Sequence, residues 1–177
     1  MGRRLSDEKG TIMTAKAYFS GGCFWGMEYY FGKLKGVTQT KVGFMGGHVE
    51  NPSYKEVKTG TTGHLETIEV TYDPEMIPYE ALVRFFFEIH DFEQVDGQGV
   101  DIGTQYLSAI FFANDTERDI AIKVFGELIQ MGYRPATQIR EIMPFYSAED
   151  YHQHYLERIN ESPECHVYRP IFNKNHG

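Results

Sequence analysis

The stretch AYFSGGCFWGMEYYFGKLKGVTQTKVGF, residues 17–44, decides the fold. Ala17 to Ser20 carries strand-forming side chains and is halted by Gly21-Gly22. Cys23 follows, and Phe24, Met27 and Phe31 recur at helical spacing. Gly32 and Gly36 bracket the helix end, and Val37 to Phe44 reads as a second strand stopped by Gly46-Gly47. Strand, helix and strand in so short a run form a βαβ unit.

Outward from that unit, residues 47–63 read as a loop, with a turn at Asn51-Pro52 and breaks at Gly60 and Gly63. His64 to Tyr72 alternates as a strand that Asp73-Pro74 ends. Pro78 suits the first position of a helix reaching about His90. Residues 91–104, with Gly97, Gly99 and Gly103, form a second long loop before a strand from Tyr106 to Ala113. Asn114 to Glu117 resembles a capping box, and Gly132 ends the helix it opens. Thr137 to Ile142 is a last strand. Ser147-Ala148-Glu149-Asp150 resembles the N-cap of a final helix to about Ile159.

The order β-α-β-β-α-β-α-β-α predicts an α+β fold. Its mixed-sheet two-layer core has a split βαβ (ferredoxin-like) arrangement, with helices on the sheet and long active-site loops. One domain over residues 1–177 is expected, with a loose arm at 1–15 and an irregular tail from about 160 to 177.

The chain has 17 Lys and Arg against 25 Asp and Glu, a net charge of −8, which disfavours nucleic-acid binding. No run approaches the roughly eighteen apolar residues of a membrane span. The polar start lacks the apolar core of a secretory signal, so a reducing cytoplasm is the expected compartment. The aromatic share of 15% predicts a packed core plus an aromatic-lined site.

The two cysteines, Cys23 and Cys165, lie 142 residues apart. They read as unrelated buried thiols, as a structural disulfide or as a catalytic thiol with a distant partner; spacing does not choose. Cys23 sits where a helix begins, and unpaired N–H groups there favour a thiolate. Glu66 shares a strand face with Ile68, Val70 and Tyr72, so it lies at the rim of a buried surface. Burial there raises a carboxyl pKa and makes a general acid. Tyr54, Asp101 and Tyr106 lie in or beside the glycine-broken loops, and phenol hydroxyls can donate to an oxygen. His152 and His154 point to different faces of the expected helix, so no metal site is expected.

Gly22-Cys23-Phe24-Trp25-Gly26 resembles the signature of the peptide methionine sulfoxide reductase A family. Gly46-Gly47-His48, Asn51 to Tyr54, Thr61 to Glu66, Phe86 to Asp91, Gly103 to Tyr106 and Ala148 to Gln153 match it in the same order. The resemblance implies a mixed α/β fold with Cys23 as nucleophile and Glu66 as acid. Tyr54, Asp101 and Tyr106 become active-site polar residues, and Phe24 and Trp25 the rings that hold the substrate's methyl group. Cys165-His166 resembles the resolving-cysteine context, with Pro163-Glu164 replacing a flexible glycine. Phe92-Glu93, Val100 and Leu107 also depart from the pattern.

The implied reaction reduces methionine S-sulfoxide, in oxidised proteins or peptides or free, with no bound cofactor. A thioredoxin-type dithiol restores the thiols of what is expected to be a monomer. Two rival readings stand beside it. One is a cysteine hydrolase with His48 or His64 as base; the other is a module that only binds methionine-containing peptides.

Overall fold

The computed structural model describes residues 13–172. The chain runs β1 (Ala15–Gly21), α1 (Phe24–Phe31), β2 (Val37–Met45), α2 (Tyr54–Lys58), β3 (Leu65–Tyr72) and α3 (Tyr79–Glu88). It continues β4 (Gly97–Gln98), β5 (Asp101–Ile102), β6 (Ser108–Phe112), α4 (Asp115–Gln130), β7 (Gln138–Glu141), β8 (Tyr146–Ser147) and α5 (Tyr155–Arg158). Single 3₁₀ turns stand at Thr104–Tyr106 and Asp150–His152.

Six strands form one open sheet in the order β7-β6-β1-β3-β2-β8. β6 and β7 run parallel, and the other neighbours antiparallel. β3 lies between β1 and β2, which α1 joins, so the unit is a split βαβ. With α3 leading on towards β6, the expected α+β arrangement is the observed one.

One face of the sheet carries α1, α3 and α4. Phe19, Ile68, Val70 and Ile110 from the strands meet Met27, Phe31, Leu82, Phe86, Val124 and Leu128 from these helices. Phe19 is fully buried, its ring stacked at 5.2 Å on both Phe31 and Phe86. The opposite face holds Met45, Leu65, Ala109 and Phe111 under Ile142 and Phe145 of the segment between β7 and β8. As the middle strand, β3 is therefore buried along its whole length. Its second face is covered, where simple alternation predicted one buried face. Thr67 there meets the Ser20 hydroxyl at 2.8 Å, and Glu69 accepts from the Tyr18 hydroxyl at 2.7 Å.

Several local expectations are corrected. The loop 47–63 contains α2, opened by a capping box: Ser53 Oγ accepts from Glu56 N–H at 3.1 Å and Glu56 Oε1 from Ser53 N–H at 2.9 Å. The loop 91–104 contains the β4–β5 hairpin. Pro78 is the N-cap of α3 and not its first residue. Asn114 caps α4 through Glu117 N–H, but the Glu117 carboxylate reaches back to Ala113 N–H, one residue beyond a standard box.

The final helix from Ser147 to Ile159 is broken up. Ser147 belongs to β8, and His154 takes a left-handed φ of 54° before the four-residue α5. Tertiary bonds outweigh helix continuity here. The Gln153 side-chain amide pairs with both Val42 N–H and Val42 C=O at 2.9 Å, as a neighbouring strand would. His154 N–H donates to buried Glu28 at 2.7 Å.

The expected arm lies outside the described residues over 1–12, and at Ala15 it is already β1. Residues 160–172 form no helix or strand, with 173–177 outside the described residues, but this stretch is firmly tied. Arg169 N–H donates to Glu88 C=O and Ile171 N–H to the Glu88 carboxylate, each at 2.7 Å. Among the described residues no helix is long and apolar enough to cross a membrane.

Phe19→Ala is expected to lower the unfolding free energy by about 3–5 kcal/mol, because a cavity opens between stacked rings. Urea unfolding measures this, and a loss below about 1 kcal/mol would show that the ring is not a centre of the core.

Candidate active site

β1 delivers the chain to Gly22, whose φ of 95° turns it sharply into α1. A Cβ at Gly22 would stand 2.5 Å from Gln98, so the turn also needs a residue without a side chain. Cys23 is the N-cap of α1, as the sequence predicted. The helix's free N–H groups converge on this spot. Phe24 N–H donates to Glu66 Oε1 at 3.0 Å, Gly26 N–H donates to Cys23 C=O at 3.2 Å, and the N–H groups of Trp25 and Gly26 favour the ionised form of the Cys23 sulfur.

Glu66 is buried, with 2% of its surface exposed, opposite Phe44 in the β2–β3 register. Burial pushes its pKa up to about 8; nearby Asp101 adds to this, while the Phe24 N–H bond and Lys58 oppose it. At neutral pH the carboxyl keeps its proton. Cys23 departs from the expectation. Burial, and then the Glu66 charge, push its thiol pKa well up, and the two N–H bonds only partly offset them. Desolvation here outweighs the helix terminus, so the resting group is a thiol.

Tyr54 opens α2 and Tyr106 closes a 3₁₀ turn. Burial raises both phenols, Tyr106 to about 12 and Tyr54 further, with Glu66 the second cause in each. Each also feels Cys23 and Asp101. Residues 23, 54, 66, 101 and 106 thus form one electrostatic cluster, and both tyrosines hold an O–H to donate.

Phe24 leaves the Met27–Phe31 side of the helix and packs with Val42, Phe44 and Val57 in a separate small core. Its ring also meets Tyr54 at 6.2 Å and His152 at 5.6 Å. Trp25 is half-buried, stacked 4.0 Å from Tyr155, and its indole N–H donates to His152 Nδ1 at 3.2 Å. His152 therefore carries its proton on Nε2, and burial keeps the ring neutral. Sequence reasoning weighed His152 only as a metal ligand and missed Tyr155 as a site residue. They reach Trp25 from about 130 residues away through a backbone break that no local pattern announces.

Cys165 Sγ–H donates to Asp101 Oδ2 at 3.6 Å, and both cysteines are free thiols. Asp101 thus touches one thiol and acts electrostatically on the other. Next to Cys165, buried His166 donates from Nε2 to Gly21 C=O at 2.7 Å and packs on Gly26. His64 spends both ring nitrogens on the backbone, at Gly47 N–H and Val49 C=O, which leaves none to act as a base on Cys23. Among the departures, Phe92 is buried in the main core and Leu107 packs on the back face. Val100 faces solvent, at the tip of the β4–β5 hairpin.

The Cys23–Glu66 interaction predicts a reactivity change, best read in a Cys165→Ser background. Iodoacetamide is expected to alkylate Cys23 slowly at neutral pH. Above about pH 8, where Glu66 ionises, Glu66→Gln removes a like charge and lowers the thiol pKa. Alkylation is then expected to quicken about tenfold for each unit of that fall. Identical rate–pH profiles would mean that the two groups do not interact.

Residues 15–176 match the family model described as peptide methionine sulfoxide reductase. The chain is 46% identical over 157 residues to the peptide methionine sulfoxide reductase MsrA of Methanothermobacter thermautotrophicus, covering 87% of this chain and 92% of that one. It is 42% identical to that of Pasteurella multocida, covering 88% and 90%. Among solved structures, reduced Mxr1 from Saccharomyces cerevisiae superimposes with a TM-score of 0.83 at 35% identity, covering 88% of this chain and 92% of that one. Methionine sulfoxide reductase A of Corynebacterium diphtheriae gives 0.71 at 40%, covering 82% and 74%. A protonated acid and a thiol share one helix terminus beneath aromatic rings, and the resemblance extends over nearly the whole chain: it belongs to the peptide methionine sulfoxide reductase family.

Proposed function

We propose that this chain reduces methionine S-sulfoxide in oxidised proteins and peptides to methionine through Cys23, with Glu66 as the proton donor. The observation that carries the assignment of roles is the buried Glu66 carboxyl, which keeps its proton and is bonded to the same helix start that holds the Cys23 sulfur. A sulfoxide oxygen is a poor leaving group until it is protonated, and a neutral carboxylic acid at neutral pH is what that step needs.

In the proposed cycle, the Trp25 and Phe24 rings receive the methyl group, and the Tyr54 and Tyr106 hydroxyls donate to the oxygen. As Cys23 Sγ bonds to the sulfoxide sulfur, Glu66 gives its proton to the oxygen and regains one from the thiol. Hydroxyl then passes to Cys23. Methionine leaves reduced by two electrons, and Cys23 becomes a sulfenic acid. The Cys165 thiol condenses with it, releasing water and forming a disulfide. A thioredoxin-type dithiol reduces that disulfide and is itself oxidised. Mxr1 of yeast has been solved in complex with Trx2, which supports a reductant of this class. The cycle needs a reducing compartment such as the cytoplasm, and we read the chain as one catalytic domain acting as a monomer, with no bound cofactor.

Single-turnover reduction of a peptide methionine S-sulfoxide tests the acid. Glu66→Gln is expected to slow methionine release by roughly 10²–10⁴-fold, the usual contribution of a placed general acid. The wild-type rate is expected to fall as pH rises through about 8, because the donor loses its proton there. An unchanged rate in Glu66→Gln removes the acid role. Steady-state assays test the thiols. Cys23→Ser is expected to be inactive, and Cys165→Ser to work with dithiothreitol but not with thioredoxin. If Cys165→Ser works with both, an external thiol resolves Cys23 directly.

A further inference from the structure

Cys165 is half-buried between two segments. Its sulfur is held against the tip of the β4–β5 hairpin, accepting from Val100 N–H and donating to Asp101. A Cβ at Gly99 would stand 3.3 Å from that sulfur, so the tip admits the thiol closely because residue 99 is glycine. The side chain beside the sulfur on this tip is Val100, 86% exposed, and two residues along the tail is Val167, 70% exposed. Ile102 and Val95 on the same loop are 56% and 76% exposed. Single exposed aliphatic side chains are ordinary on a protein surface. Here two of them, Val100 and Val167, belong to the two separate segments that meet at a thiol.

We propose that Val100 and Val167 form an apolar collar around Cys165 that docks a dithiol protein during regeneration. This rests on the reading of Cys165 as the resolving cysteine. An attacking sulfur must come within bonding distance of Cys165 Sγ, so whatever carries it must lie on the residues around that sulfur. Cys23 is the more deeply desolvated of the two, so the partner's thiolate attacks Cys165 and Cys23 leaves as a thiolate that takes up a proton. The partner's second thiol then displaces Cys165 as a thiol, and the partner departs as a disulfide.

Charge selects the class of partner. Asp101 and Glu164 both act on Cys165, and the chain carries a net charge of −8, so small anionic thiols are repelled. A protein with an apolar rim around its dithiol gains contact with the collar, which offsets that repulsion as a small anionic thiol cannot. The collar is also held in place. His166 donates to Gly21 C=O at 2.7 Å and Tyr30 donates to His166 C=O at 3.4 Å, so the tail beside Cys165 needs little ordering when a partner arrives.

The test is steady-state reduction of a peptide methionine S-sulfoxide by Val100→Glu, Val167→Glu and the double variant, at varied thioredoxin and separately with dithiothreitol. In the double variant the KM for thioredoxin is expected to rise about tenfold or more, with the dithiothreitol-supported rate within about twofold of wild type. Val100→Ser with Val167→Ser is expected to give a smaller rise in the same direction. An unchanged KM overturns the collar. An equal loss with dithiothreitol also overturns it, since the substitutions would then be acting on the site itself. Glutathione serving the wild type as well as thioredoxin overturns the partner class. If the wild type turns over with dithiothreitol but not with thioredoxin, the dithiol reading itself falls, and the collar with it.

Discussion

The hydrogen bond from Phe24 N–H to Glu66 Oε1 ties the first turn of α1 to the middle strand of the sheet. Much of the site follows from that link. A helix start leaves its first N–H groups without partners inside the helix. Here each of them is used. Phe24 N–H goes to the carboxyl, Trp25 N–H acts on the sulfur, and Gly26 and Met27 N–H go to Cys23 C=O at 3.2 and 3.4 Å. Acid and thiol are therefore positioned by one rigid element, and neither depends on a loop for its place.

Glu66 receives one backbone donor, too few to hold a buried carboxylate ionised, so the neutral form wins. That outcome reacts back on Cys23. While Glu66 stays protonated, its repulsion on the sulfur is absent, and burial, with a contribution from Asp101, keeps the thiol from ionising freely. At neutral pH the pair holds both its protons. The sulfoxide oxygen takes the Glu66 proton, Glu66 recovers the one from Cys23, and the second proton of the water released later comes from the Cys165 thiol. A thiolate made permanent by the helix terminus would have no proton to return to Glu66 and would react with any passing oxidant.

The parts of the fold and site that could be read from the sequence are those set by short-range periodicity. Alternation in β3 put Glu66 on the same face as Ile68 and Val70, and Gly21-Gly22 before an apolar helix put Cys23 at a helix start. Ser53 and Glu56 carried a capping-box signal of the same kind, and loop composition hid it. What sequence could not give is set by distant partners. His152 reaches Trp25, Gln153 mimics a strand beside Val42, and Glu28 captures His154 N–H; together they break the helix that local signals favoured. The direction of the Cys23 shift was missed for a related reason. The helix terminus is visible in sequence, but the depth of burial that outweighs it belongs to the assembled core.

The tail shows how an irregular segment can still be rigid. Residues 160–172 form no helix or strand, yet His166 is anchored at Gly21 and the backbone of Ile171 and Phe172 is held by the Glu88 carboxylate at 2.7 and 3.2 Å. The buried Glu88 carboxylate thereby takes up N–H groups that a chain without secondary structure would otherwise leave unpaired. Pro163 adds stiffness where the family pattern has glycine, since its ring fixes one backbone angle. In the proposed cycle this arrangement matters at Cys165. The entropy of bringing that sulfur to Asp101 is spent once, on folding, and is not met again at each turnover. A rigid tail also fixes which surface surrounds the sulfur, so the choice of reductant becomes a property of the folded chain.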